Sequence, residues 1–227
     1  MIEPDNKEHV CERCGECCVN GSPTLHLSDF KLFEEKIVTL NNVYTLRKGE
    51  LVYDNVGEEL DYLKDEMIKV KELPGSKTCI FYDSDDRGCS IYSTRPLQCV
   101  KFECWNPKKF FSSINEEKLS REDLFHQSPT LKKIITTYEE KCSYEKLGEL
   151  FEETQKGNRD AADEILEILQ YDTAIRPFIG EKLNIPGESI DLILGRPLVS
   201  TIKMFGYKVV GDEEGNYSLM LDKDDES

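Results

Sequence analysis

Apolar positions along this 227-residue chain change rhythm near residue 106. Before that point the periodic stretches are short. Phe30, Phe33 and Ile37 recur at helical spacing behind Ser28 as N-cap and Asp29 in the first turn, which predicts a helix over 28–38. Residues 43–47 and 50–54 flank Lys48-Gly49 and predict a hairpin. Ile68 and Val70 alternate with Lys69 and Lys71, which predicts a short strand within 66–72, although Met67 breaks the alternation. Residues 79–82 and 89–92 flank the polar run DSDDRG and predict a second hairpin.

After residue 106 the rhythm is mostly helical. Ser128-Pro129 opens a helix with Pro at its first position and a stripe of Leu131, Ile134, Ile135 and Tyr138. Ser143 caps the next, with Leu147, Leu150 and Phe151 on one face. Asn158 begins a third, carrying Ala161, Ile165, Ile168 and Leu169. Shorter helices are expected at 172–182, 187–194 and 197–205, the last opened by Pro197 and closed by Gly206. YKVV at 207–210 and YSLML at 217–221 flank GDEEGN and predict a final hairpin, and DKDDES reads as a solvated tail. The expected fold class is α+β. An irregular module with short hairpins spans 1–106, and a mainly helical region with a C-terminal hairpin spans 107–227.

Charge narrows the range of partners. There are 45 acidic against 29 basic residues, a net charge of −16. Binding nucleic acid needs clustered Lys and Arg to neutralise phosphates, so neither nucleic acid nor an anionic membrane surface is an expected partner. The longest apolar run, Cys79 to Tyr82, is far short of the roughly 20 residues a membrane span needs. The N-terminal MIEPDNKEHV has no apolar core of a secretory signal, so a cytoplasmic location is expected.

Nine cysteines change the picture. In a reducing compartment structural disulfides are rare, and an odd number cannot pair completely. Eight fall between Cys11 and Cys104, and Cys142 stands apart. Cys11, Cys14, Cys17 and Cys18 form a C-x2-C-x2-C-C run. Two thiolates separated by two residues can wrap one metal ion, because the turn between them brings both sulfurs to one side. Neighbouring side chains diverge, so Cys17 and Cys18 are expected to serve two metals, or one of them none. Cys79 and Cys89 lie at the starts of the two predicted hairpin legs, and Cys99 and Cys104 follow in RPLQCVKFEC. Eight thiolates suffice for two four-coordinate sites, or for one cluster with reserve ligands. Zinc modules prefer a second C-x2-C pair, which is missing downstream, so the spacing favours an iron–sulfur cluster over zinc. A purely structural zinc and a thiol-exchange role remain alternatives.

CERCGECC followed by GCSIYSTRPLQC resembles the YkgJ-type cysteine-cluster family, also called the CxxCxxCC zinc- or iron-chelating proteins. The resemblance covers residues 11–104. It implies metal ligation by Cys11, Cys14, Cys17, Cys18, Cys79, Cys89, Cys99 and Cys104, and places the family's Arg-Pro on Arg95-Pro96 and its Tyr on Tyr92. Cys142 has no counterpart. One branch of the family comprises protein-lysine N-methylases, which implies S-adenosylmethionine as a cofactor under that alternative alone. Residues 107–227 do not resemble that branch.

Several other residues have a bland reading beside the chemical one. Arg95 would donate to cysteine sulfurs or to a cofactor anion, or else hold the hairpin to the following turn. Lys101 would do the same work but reads as a surface lysine. His9 and His26 read as surface or core residues because eight cysteines already supply enough ligands, and His126 is remote. Asp83, Asp85 and Asp86 lack the rest of a calcium loop and read as a solvated turn. Phe102 and Trp105 are expected to cover the cysteines against water. No phosphate-binding glycine loop and no nucleophile elbow appear. The sequence therefore points to a metal-binding protein with a structural, redox or metal-handling centre. The alternative is a group-transfer enzyme acting on a protein side chain, with a protein as partner or substrate.

Overall fold

The computed structural model describes residues 11–54, 57–106, 108–211 and 217–222. In chain order its helices are α1 (Glu16–Val19), α2 (Phe30–Glu34), α3 (Leu97–Lys101), α4 (Lys108–Ser113), α5 (Arg121–Phe125), α6 (Pro129–Cys142), α7 (Tyr144–Gln155), α8 (Arg159–Leu183), α9 (Ile190–Leu194) and α10 (Leu198–Thr201). Its strands are β1 (Val43–Leu46), β2 (Leu51–Asp54), β3 (Glu59–Tyr62), β4 (Met67–Val70), β5 (Tyr82–Asp83), β6 (Gly88–Cys89), β7 (Tyr207–Gly211) and β8 (Tyr217–Leu221). The chain is α+β, and its strands pair only two at a time. Among the described residues no helix is long and apolar enough to cross a membrane.

Compactness groups the chain into two units that interleave along the sequence. Unit 1 takes the residues up to Val38 together with Lys69–Leu119. Unit 2 takes Thr39–Ile68 together with the chain from Ser120 onward. The division expected at residue 106 follows cysteine content, whereas these units follow compactness in space. Apolar burial is uneven. Unit 1 buries Leu25, Leu32, Val38, Val70, Cys79 and Leu119, while unit 2 buries aromatic and aliphatic side chains along β1, α6, α7, α8, α9 and α10.

Helix starts follow their local signals. Ser128 accepts the Leu131 N–H, Ser143 the Lys146 N–H and Asn158 the Asp160 N–H, so each satisfies donors the helix leaves open. The helix expected over 28–38 is shorter than its apolar spacing implied. His26, rather than Ser28, stands at the cap, where its N–H donates to Asp29 Oδ2 at 2.9 Å, and a 3-10 turn over Leu27–Asp29 leads into α2. The chain leaves the helix near Lys36, which has a φ of 58°.

The hairpin expected around Lys48-Gly49 does not form. β1 pairs with β4, and β2 pairs with β3 from Leu51↔Tyr62 to Asp54↔Glu59. Glu50 explains the outcome. Its fully buried carboxylate accepts the Arg47 N–H at 2.9 Å and Arg196 Nε at 2.6 Å. The Gly49 N–H donates to Leu63 O at 2.7 Å. Residues 47–50 are thus closed by a side chain as well as by the Glu50 N–H donating to Arg47 O at 3.1 Å, and the flanking strands leave in different sheets. The second hairpin does form, but β5 and β6 pair over only two residues each, Tyr82↔Cys89 and Asp83↔Gly88. Cys79 lies outside its leg, in an isolated bridge with Glu72. Within β4, Ile68 and Val70 are buried while Met67 and Lys69 are half-buried, as alternation requires.

Helices expected separately from Asn158 and over 172–182 are one element, α8, with Pro177 inside it. Proline removes a backbone donor, so the helix needs support on both sides of it. Asp172 supplies that support. Fully buried, it accepts Tyr138 Oη at 2.5 Å, Arg176 Nε at 2.8 Å and the Leu198 N–H at 2.8 Å. β7 and β8 pair from Tyr207↔Leu221 to Gly211↔Tyr217. Most of the turn GDEEGN (212–216), and the tail beyond Asp222, lie outside the described residues.

A buried charge network organises unit 2. Arg47 is fully buried and donates through Nε to Glu139 Oε1 at 2.8 Å and through Nη2 to Cys142 O at 2.8 Å. Its guanidinium lies over the Tyr138 and Tyr144 rings, 4.8 and 4.9 Å from their centroids. Arg121 joins the same carboxylate at 2.7 Å, pairs with Glu66, and donates to Ile193 O at 2.8 Å. Burial alone would raise the Glu139 carboxyl, but the hydrogen bonds and charge of Arg47, aided by Arg121, hold it below its ordinary value.

Candidate metal centre

The C-x2-C-x2-C-C run forms a tight loop in unit 1. Cys14 is bracketed by two left-handed residues, Arg13 at φ 57° and Gly15 at φ 85°. The chain then closes into α1, with the Cys18 and Val19 N–H groups donating to Gly15 O at 2.8 and 2.9 Å. A Cβ on Gly15 would run into the Tyr82 hydroxyl, so only glycine lets the loop lie against β5. The Cys79 N–H donates to Cys18 O at 2.8 Å, which ties the loop to the segment carrying the downstream cysteines.

The Cys17 and Cys18 sulfurs lie 3.8 Å apart. The expectation that these neighbours diverge is therefore corrected, because within the single turn of α1 both thiols reach the same side. Two sulfurs on one tetrahedral ion, each bonded at about 2.3 Å, are also roughly 3.8 Å apart. The two thiols share a hydrogen bond. Cys18's donation pulls the Cys17 thiol down to about 6, and the same bond together with burial pushes Cys18 up. One proton thus serves two sulfurs, and the charge belongs to the pair.

Further thiols surround this pair. Cys79 is pushed up to about 11, mainly by burial, and Cys89 and Cys99 are also pushed up mainly by burial. Like charge contributes in each case. Cys99 feels Cys79, Cys89 and Cys17, Cys89 feels Cys17 and Cys11, and Cys18 feels Cys89 and Cys99. Two backbone groups oppose these shifts: the Phe81 N–H donates to the Cys79 sulfur and the Ile91 N–H to the Cys89 sulfur. An N–H pointed at sulfur from two residues downstream stabilises the thiolate that a metal requires. Cys99 rides on α3, whose start is anchored by Asp29 Oδ1 accepting the Leu97 N–H at 2.8 Å.

Arg95 fulfils its bland reading, and its charge also reaches the thiols. Its Nη1 donates to Tyr92 O at 2.8 Å, which holds the turn, and its charge lowers the thiols of Cys17, Cys89 and Cys99. Its guanidinium stacks 4.1 Å from the Tyr92 ring centroid, and Arg13 lies 5.0 Å from the same centroid. Tyr92 therefore links the first cysteine loop to the Arg-Pro turn through two cations. The sequence reading missed Arg13, whose position inside C-x2-C is a detectable signal.

Other residues fall outside this gathering. Cys11, Cys14 and Cys104 are exposed, as Cys17 is, and of these three Cys11 still acts on Cys89. Among the described residues, no group of three or more His, Cys, Asp or Glu side chains converges tightly enough to hold a metal ion. Thiol donors, the 3.8 Å sulfur pair, backbone N–H groups on sulfur and a fixed cation nonetheless match the chemistry of a zinc or iron site. Phe102 and Trp105 are 41% and 38% exposed, and Phe102 packs edge-on against Phe110. Cys142 is fully buried, and its thiol is pushed up to about 12 by that burial. Asp83 accepts the Asp85 N–H at 2.8 Å, forming the expected polar turn. His26 is buried, His126 hydrogen-bonds Asp123 O through Nδ1 at 2.8 Å, and His9 lies outside the described residues.

No solved structure matches this chain. A family model does match, over residues 10–143, and so reaches beyond the last cysteine of the cluster to include Arg121 and Glu139. With more than half its length matched, the chain belongs to the CxxCxxCC family, described as "Putative zinc- or iron-chelating domain".

Proposed function

We propose that this is a cytoplasmic metalloprotein whose centre is ligated by Cys11, Cys14, Cys17, Cys18, Cys79, Cys89, Cys99 and Cys104, with an iron–sulfur cluster favoured over zinc. The observation that carries this reading is the Cys17–Cys18 sulfur pair at 3.8 Å, with Cys89 and Cys99 acting on its charge. Membership of a zinc- or iron-chelating family supports the metal, and the missing second C-x2-C pair supports iron–sulfur. When bound, the ion or cluster supplies electron storage or a rigid cross-link. The chain's own residues do the rest. Backbone N–H groups of Phe81 and Ile91 steady two thiolates, and Arg95 offsets part of the negative charge. Nine free thiols and the acidic surface support a reducing compartment and argue against nucleic acid or anionic membrane as partners.

Anaerobic purification followed by iron, sulfide and zinc analysis tests this reading. At least one metal atom per chain is expected, with acid-labile sulfide if the centre is iron–sulfur. Less than one metal atom, with all nine thiols freely titratable, overturns it. Cys14→Ser is expected to lower the metal content, and Cys142→Ser to leave it unchanged.

A further inference from the structure

Unit 2 carries a groove of about 1080 Å3, built from elements that contain none of the eight cluster cysteines. Phe151, Tyr144, Met204, Phe205 and Leu63 give it an apolar lining. Along α7, Glu145, Glu149 and Glu152 line it with exposed carboxylates at i, i+4 and i+7. That spacing makes one stripe roughly 10 Å long. Exposed Asp65 adds a fourth carboxylate. Against these stands Lys48, since the other lining base, Arg121, is already engaged by Glu66 and Glu139. The groove is therefore apolar inside and negative at its edge.

The β2–β3 ribbon extends this surface. Leu51 pairs with Tyr62 and Tyr53 with Leu60, so these four side chains share one face. Tyr53, Leu60 and Tyr62 are 57%, 63% and 53% exposed. Large apolar side chains grouped on an exposed ribbon mark an interaction surface. Tyr62 also lines the groove, so the two features are continuous.

We infer that this surface binds a basic amphipathic segment of a partner protein. Its apolar side chains enter the groove and cover the ribbon face, and its Lys and Arg meet Glu145, Glu149, Glu152 and Asp65. The carboxylate stripe matches basic residues spaced along one side of a helix. A small cation would satisfy the carboxylates but leave the ribbon face uncovered. An anionic polymer or lipid surface would be repelled, whereas the net charge of −16 steers a basic segment in.

The test uses the full-length, metal-loaded protein and a labelled helical peptide with Leu on one face and Lys on the other. Saturable one-to-one binding is expected, weakening as salt rises. The E145Q/E149Q/E152Q variant should bind at least about tenfold more weakly, through charges at the surface only. Gly148→Met should also weaken binding, because it fills the groove from a helical position whose added Cβ makes only an ordinary 3.6 Å contact with Phe205. Circular dichroism checks that both variants are folded. Failure to saturate, equal binding of a Leu-free polylysine of the same length, or unchanged affinity in both variants overturns the inference.

Discussion

Gly15 is held at a φ of +85° with the Tyr82 hydroxyl where a Cβ would sit. Ala must both adopt a left-handed backbone and displace a ring. Gly15→Ala is therefore expected to destabilise unit 1 by about 1–3 kcal/mol. It should also lower metal retention, because the residue turns the chain between Cys14 and Cys17. Urea unfolding with metal analysis checks both effects, and an unchanged midpoint with full metal content would count against this account of the loop. At this scale the cysteines were legible because ligand spacing is a local property. Arg47 and Arg121 were not, since nothing beside them in the sequence shows that Glu139 lies 92 and 18 residues away as their partner. An arginine read alone defaults to the surface, and only the fold supplies the carboxylate that allows its burial.

Among the elements, those set by nearby residues were readable. Ser128, Ser143 and Asn158 each announce a helix start because the donor they satisfy is two or three residues away. β1 and β2 have the composition of strands, but their partners are chosen by Glu50 and by burial, so the local hairpin signal at Lys48-Gly49 misled. The split expected between the Asn158 helix and 172–182 misled in the opposite direction: α8 runs through both, because Asp172 fastens the junction to Tyr138, Arg176 and Leu198. Asp172→Asn keeps the shape and removes the more buried of the two carboxylates that Arg176 faces. Losing one partner of a buried ion pair costs about 3–5 kcal/mol. The variant should accordingly lower the urea midpoint and selectively speed amide exchange in the second half of α8. A midpoint within error of the parent's would show that the junction needs no such fastening.

At the scale of the whole molecule, the two units differ in the core they bury, and different treatments should release them. Unit 2 has a large apolar core and the Arg47–Glu139–Arg121 network. Glu139 titrates below its ordinary 4.5 when folded. Its contribution to stability is complete above that pH and is lost as pH falls through the lowered folded value. Unit 2 should weaken below about pH 4.5, and Glu139→Gln should remove that part of the slope. Among the described residues unit 1 buries six apolar side chains, a small core for its irregular loops. If bound metal supplies the missing cross-link, its removal at neutral pH should act on unit 1 alone, since no cluster cysteine belongs to unit 2. Amide exchange at pH 7, with and without a strong chelator, distinguishes the two. The N–H groups of Val70, Cys79 and Leu119, bonded to Pro23, Cys18 and Leu25, should lose protection when metal is stripped. Those in α6, α7 and α8 should keep theirs, because their bonds rest on packing that chelation does not touch. Equal loss in both units would mean that the metal supports the whole chain, and no loss in either would mean that unit 1 does not depend on metal for its shape.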